Sequence, residues 1–218
     1  MRWTLYALAY SYAALAINHG VIVGLYTNPR EALERGMKLA QKALALDESL
    51  AHPHEMLSKY YIYYEKDYEK GIAEAERAVT LEPNSVDAYY QLGSNLRWAG
   101  RYAEAIPMLQ KAMRLSPIPP TICVSTLAAC YRLTGQYGES IAIYRRILQK
   151  EPNQLPTRVG LVATLMQSGK EDEARAEAVK VLSNDPKFSV EAYARSYPLR
   201  DQKVLDDFVS ALHKAGLK

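Results

Sequence analysis

The stretch VDAYYQLGSNLRWAGRYAEAIPMLQKAMRLSP, residues 86–117, decides how this chain is read. Two apolar-periodic segments flank Ala99-Gly100-Arg101, and the stretch closes on a proline. Tyr89, Leu92 and Leu96 recur at steps of three and four residues, the spacing of one helix face. Tyr102, Ala105 and Ala112, at steps of three and seven, share one face of the second segment. Gly100 supplies a tight turn between two helices. Pro117 cannot continue the second helix and ends the phrase.

The phrase returns along the chain. LEPNS, LSPIP, KEPNQ and NDPKF close at Pro83, Pro117, Pro152 and Pro186, with spacings of 34, 35 and 34 residues. In LALDES, residues 44–49, Glu48 stands 35 residues before Pro83, at the place where the proline is missing. Within each phrase the same places recur: Leu57, Leu92, Leu127 and Leu161, then Tyr61, Leu96, Tyr131 and Leu165. The residue after the leucine is small at Ser58, Gly93 and Ala128 but is Val162 in the last unit. Turn glycines stand at Gly100, Gly135 and Gly169. Tyr68, Tyr102, Tyr137 and Glu171 open the second helices. Gly71, Ala105, Ser140 and Ala174 follow three residues later, and Ala78, Ala112, Ile147 and Val181 seven after that. Small residues at these places let paired helices approach closely. A period of this kind marks stacked helix pairs, each unable to bury its apolar face alone.

Units are expected at about 3–48, 51–83, 86–117, 121–152 and 155–186, followed by a C-terminal cap over 187–218, all in one array. Several departures stand out. The first unit has an extended connection from Asn18-His19-Gly20 to Thr27-Asn28-Pro29, and its second helix runs from about Arg30 to Leu46. The second unit carries an extra residue near Tyr64-Glu65-Lys66 and lacks the turn glycine. Ile118-Pro119-Pro120 adds a residue, and Pro107 bends a second helix. In the cap, Phe188-Ser189 reads as a hydrophobic staple and N-cap with Tyr193 as staple partner. Pro198 interrupts. An amphipathic helix follows from about Gln202 to Lys214, with Val204, Leu205, Phe208, Val209 and Leu212 on one face and Gly216 as its stop.

Twenty-seven basic and 24 acidic residues mix throughout for a net charge of +3, so nucleic acid is not an expected partner. Cys123 and Cys130 would lie roughly 10 Å apart along one helix, beyond disulfide reach. They read as buried packing residues, consistent with a reducing, cytoplasmic location. The opening WTLYALAYSYAALA has the outline of a signal peptide with Ala14-Leu15-Ala16 as its cleavage site. Polar Tyr6, Tyr10, Ser11 and Tyr12, and a repeat register that places Leu5, Leu8 and Tyr12 in a helix core, assign it to the first repeat helix instead. No stretch is long and apolar enough to span a membrane.

Catalytic and metal motifs are not formed. His54-Glu55 begins an HExxH, but Ser58 stands where the second histidine belongs. Gly169-Lys170 lacks the upstream glycine of a phosphate loop. Glu171, Asp172 and Glu173 suit a helix N-terminus. The chain therefore reads as non-catalytic, with no cofactor.

The order of these residues resembles the tetratricopeptide repeat, which implies an all-α, right-handed superhelical solenoid of antiparallel helix pairs that binds protein or peptide. The phrases RWAGRYAEAIPMLQKAMRLSPIPP and LTGQYGESI, with the tail FSVEAYARSYPLRDQKVLDDFVSALHKAGL, resemble the C-terminal repeat region of bacterial signalling proteins with adenylate or guanylate cyclase or winged-helix domains upstream. That likeness implies a regulatory segment whose chemistry is done elsewhere.

By the same resemblance, first helices line the concave side. The expected row is Tyr6 and Tyr10; Glu55, Lys59, Ile62 and Tyr63; Tyr90, Ser94, Arg97 and Trp98; Ser125, Ala129, Arg132 and Leu133; Val159, Ala163 and Met166. The partner-binding residues expected from it are Tyr63, Tyr90, Ser94, Arg97, Trp98, Ser125 and Arg132. Arg97 and Arg132 hold equivalent places in adjacent units and suit one acidic group. Tyr90 and Ser94 stand where the carboxylate clamp of chaperone-binding relatives has lysine and asparagine, so chaperone tails are not expected ligands. Self-association through Tyr6 and Tyr10 is the remaining expectation.

Overall fold

Tyr68, Tyr102, Tyr137 and Glu171 each begin a helix, as their recurrence predicts. The computed structural model describes residues 2–22, 25–195 and 197–218, and every regular element among them is helical. Helices α1 (Arg2–Ile22), α2 (Pro29–Leu46), α3 (Ala51–Tyr60), α4 (Tyr68–Leu81) and α5 (Val86–Trp98) come first. Then come α6 (Tyr102–Leu115), α7 (Thr121–Leu133), α8 (Tyr137–Lys150), α9 (Leu155–Gln167) and α10 (Glu171–Asn184). The cap is α11 (Val190–Ala194) and α12 (Gln202–Lys214). Two compact units divide the chain, residues 1–95 and 96–218, the division falling inside α5.

Turn chemistry follows the sequence. Gly100, Gly135 and Gly169 take φ of +86°, +78° and +79°, left-handed values that a side chain disfavours. In the unit without a turn glycine, Lys66 adopts φ 56°. The extra residue there is absorbed by a π-helical turn, Tyr61–Glu65, which extends α3 by widening the coil to hold one more residue per turn. The shift in register turns Ile62, expected on the groove face, fully inward. Its side chain packs where a Cβ on Gly71 would lie, 2.6 Å from Ile62 Cγ1, so glycine is needed at that crossing.

The first unit departs further from expectation in α1. The helix runs on through Asn18-His19-Gly20 to Ile22, so the connection to α2 is shorter than predicted. Gly20 admits the Tyr26 ring, 2.7 Å from where its Cβ would stand, and does not end the helix. The buried stripe of α1 is Ala7, Ser11, Ala14 and Ile17; Leu5 and Tyr12, expected in the core, are 68% and 63% exposed. Alanine, leucine and tyrosine surround this helix on every side, so periodicity alone does not select the face that is buried. Asn28 caps α2 by accepting from the Glu31 N–H, with Pro29 in the first turn.

A buried polar chain also ties the first unit together. Asn95, fully buried, donates to Ser58 Oγ at 2.5 Å and to the Gly71 carbonyl at 2.9 Å, and accepts from Gln91 Nε2 at 2.7 Å. Three helices, α3, α4 and α5, are thereby joined by one side chain.

In the second unit the core runs through α7, α8, α9 and α10 and includes Phe208, Ala211 and Leu212 of the cap. Helix α12 packs on α9, covering the face a further repeat would otherwise cover. Ser189 caps α11 by accepting from Ala192 N–H, and the Phe188 and Tyr193 rings meet at 5.5 Å, the predicted staple. Helix α12 has the predicted bounds, and Gly216 stops it at φ +97°. Helix α6 runs through Pro107. Cys123 and Cys130 are both buried free thiols on α7, each pushed up to about 11 by burial.

Candidate functional site

Two places gather the residues that the sequence nominates, one in each unit. In the first unit, α1, α2, α3 with its π-helical turn, and α5 enclose a cavity of about 410 Å³. Tyr60, Tyr63, Tyr64 and Tyr90 line it with Met37, Met56, Lys59 and Ser94. Tyr60 at the end of α3 and Tyr64 in the π-helical turn stand four residues apart and stack, centroids 5.8 Å apart at 25°, to form an aromatic wall. Burial pushes both hydroxyls above the ordinary tyrosine range, helped at Tyr60 by Glu65 and Glu34. Lys59 is the cation on the wall. Below it Glu55 is buried, and burial raises its carboxyl although His52 and Lys59 pull the other way. Three nominated residues, Tyr63, Tyr90 and Ser94, meet here. Tyr60, Tyr64, Met37 and Met56 lie outside the expected row: Tyr60 closes α3, Tyr64 lies in the π-helical turn, and Met37 comes from the second helix of its pair.

In the second unit the nominated Arg97, Trp98 and Arg132 are 8%, 6% and 6% exposed. The expectation of an open, arginine-lined groove meets a chain whose own C-terminal segment lies over these residues. The Tyr197 ring stands edge-on to Trp98 at 5.4 Å, and the Arg200 N–H donates to the Trp98 carbonyl at 3.0 Å. Arg132 lies 5.1 Å from the Phe208 ring centroid and donates from Nη1 to Gln167 Oε1 at 3.0 Å. Burial lowers the Arg132 guanidinium from its ordinary value, and the charge on Arg97 adds to this. Val159 and Ala163, expected in the same row, are fully buried. Ser125 turns its hydroxyl back to the Ile122 carbonyl at 3.1 Å.

The histidine of the incomplete HExxH has a structural partner. His54 Nδ1 lies 2.6 Å from Glu74 Oε2, joining α3 to α4. Among the described residues no three His, Cys, Asp or Glu side chains gather as a metal site, and no helix is long and apolar enough to cross a membrane.

Known proteins place this architecture. A family model described as tetratricopeptide repeat matches residues 86–119 and another of that description matches 132–195, so the chain carries tetratricopeptide repeats at both. Anaphase-promoting complex subunit 7 from Homo sapiens is 25% identical over 199 residues, 90% of this chain and 35% of that protein. The chain spans about a third or less of the first curated relatives it matches. Among solved structures, PilW, a type IV pilus biogenesis factor, superposes with a TM-score of 0.73 at 19% identity over 96% of this chain and 90% of PilW. YrrB, a TPR protein with an unusual peptide-binding site, superposes with a TM-score of 0.59 at 22% identity over 72% and 80%. The fold is thus an all-α tetratricopeptide helical solenoid.

Proposed function

We propose that this chain is a non-catalytic scaffold that binds a peptide segment of a partner protein through the tyrosine-lined cavity of its first unit. The observation that carries the reading is the convergence of Tyr60, Tyr63, Tyr64 and Tyr90 with Lys59 around about 410 Å³. Tyrosines offer broad apolar contact at little entropic cost, and a cavity of this size accepts one or two apolar side chains. Lys59 favours an acidic residue beside that anchor. The comparison with APC subunit 7, a component of a protein complex, and with the peptide-binding YrrB supports a protein ligand. Arg97, Trp98 and Arg132 belong to the interaction surface only where the C-terminal segment is displaced from them; Ser125 stands at the edge of that surface.

Selection from a displayed peptide library tests this. Enriched peptides are expected to share an aromatic or long aliphatic residue next to Asp or Glu, and to lose about thirtyfold or more in affinity on Tyr63→Ala/Tyr90→Ala, since one central aromatic anchor carries about 2 kcal/mol or more. Equal binding by wild type and the double variant would refute the assignment.

A second reading, self-association, is favoured by the outer face of α1, where Leu5, Tyr6, Tyr12 and Leu15 are 68%, 48%, 63% and 37% exposed. Sedimentation at several concentrations tests it; a concentration-independent monomer removes it. The tail 188–217, folded as the cap, also suits the repeat segment of a nucleotide-cyclase-type signalling protein in the cytoplasm, with the repeats as one array. The gene sequence upstream of Met1 tests that reading.

A further inference from the structure

Arginine is buried at three places in the second unit, and the contrast among them is informative. Arg158, 7% exposed, is neutralised: Nη1 meets the Glu177 carboxylate and Nη2 the Pro152 carbonyl. Arg97 and Arg132 are buried to the same degree, yet among the described residues neither has a carboxylate within 4 Å. Arg132 has the single side-chain acceptor Gln167, and Arg97 has the Trp98 ring, 3.5 Å from Cζ to centroid. The Nε atoms of both arginines and the Tyr102 hydroxyl are buried without a hydrogen-bonding partner. The acid whose charge reaches this cluster, Asp201, acts on Tyr102 but is exposed and occupied in capping α12, accepting from the Lys203 and Val204 N–H groups. Two like charges in one desolvated place, with donors in excess of acceptors, are costly unless an anion joins them.

We infer that Arg97, Arg132 and Tyr102 form a buried binding site for a small free oxyanion of the phosphate or sulfate type, enclosed by Tyr197 and Phe208 of the C-terminal segment. The donor set is complementary to an oxyanion: planar guanidiniums present forked N–H groups, and the phenol adds an O–H. The cover of Tyr197 and Phe208 excludes a polypeptide ligand while the segment is docked. Because the anion contacts arginines from α5 and α7 and sits beneath the cap, occupancy favours the docked cap. This site is separate from the tyrosine cavity, so its failure leaves the partner-binding reading intact.

The probe is inorganic phosphate at millimolar concentration, with chloride matched for ionic strength, on the whole chain. Calorimetric titration is expected to show saturable one-site binding, and thermal unfolding a midpoint raised by several degrees relative to chloride. Arg97→Met/Arg132→Met is expected to fold, since apolar replacement of uncompensated buried charge is neutral or stabilising, and to lose both effects. With Trp3→Phe as background, Trp98 fluorescence is expected to titrate with the same midpoint. Absence of saturable binding to wild type overturns the proposal. So does an equal phosphate shift in the double methionine variant, which would mark a general salt effect. Should that variant fail to fold, Arg132→Lys is the second test: it keeps charge without the fork, and undiminished phosphate affinity there also overturns the site.

Discussion

Gly160, near the middle of α9, offers the sharpest test of the packing described above. By propensity alone, replacing a mid-helix glycine with alanine stabilises by about 0.5–1 kcal/mol. The structure reverses that sign. A Cβ on Gly160 would stand 2.7 Å from both Cζ and Oη of Tyr144 and 3.1 Å from Cε1. Carbon atoms prefer about 3.5–4.0 Å, so the overlap approaches 1 Å. Tyr144 is 3% exposed and sits in the core of the second unit, so the ring cannot retreat into solvent. Overpacking of this kind costs about 1–3 kcal/mol, which leaves Gly160→Ala destabilising by about 1–2 kcal/mol, or roughly 2–8 °C in midpoint for a chain of this size. Gly138→Ala in α8 is the control: nothing lies within 4 Å of its would-be Cβ, and it is expected to stabilise by up to about 1 kcal/mol. In a Tyr144→Leu background the Gly160→Ala effect is expected to become neutral or favourable, a coupling that a double-mutant cycle in urea measures. If Gly160→Ala stabilises as Gly138→Ala does, the close approach of α8 and α9 at Gly160 is refuted.

Asn95→Ala is expected to cost about 1–3 kcal/mol, because it removes the partner of Ser58 and Gln91 in a dry interior and the second bond of the Gly71 carbonyl, which stays in the α4 ladder; amide hydrogen exchange of α3–α5 reads the loss, and protection unchanged from wild type would refute the network. Lys66→Gly is expected to stabilise by about 0.5–1 kcal/mol in urea denaturation, since glycine accepts φ 56° without the Cβ clash. Burial pushes the Glu177 carboxyl up, but hydrogen bonds from Lys180 and Arg158 outweigh it and hold it below the usual range. Its stabilising contribution is therefore present above the ordinary carboxylate pKa and is lost as pH falls through the depressed folded value. Glu177→Gln is expected to destabilise near neutral pH and to flatten the acid limb of a midpoint-versus-pH series; an unaltered limb refutes the pairing.

Much of the architecture was legible in one dimension because its determinants are local and repeated. Helix starts at Tyr68, Tyr102 and Tyr137, left-handed glycines at 100, 135 and 169, and the staple and cap at Phe188-Ser189-Tyr193 each depend on neighbours within a turn or two. The extra residue near Lys66 is visible as a count, but not as the π-helical turn that accommodates it with Ile62 packed against Gly71, a contact between helices that no local spacing encodes. The site residues show the same limit. Periodicity put Tyr63, Tyr90 and Ser94 on one face, and tertiary structure gathered them with Tyr60, Tyr64 and Met37 from other turns and helices. Periodicity also put Arg97, Trp98 and Arg132 on a free face. Only the folded chain shows that the C-terminal segment lies over them, because a contact between residue 98 and residue 197 leaves no trace in the spacing of either helix.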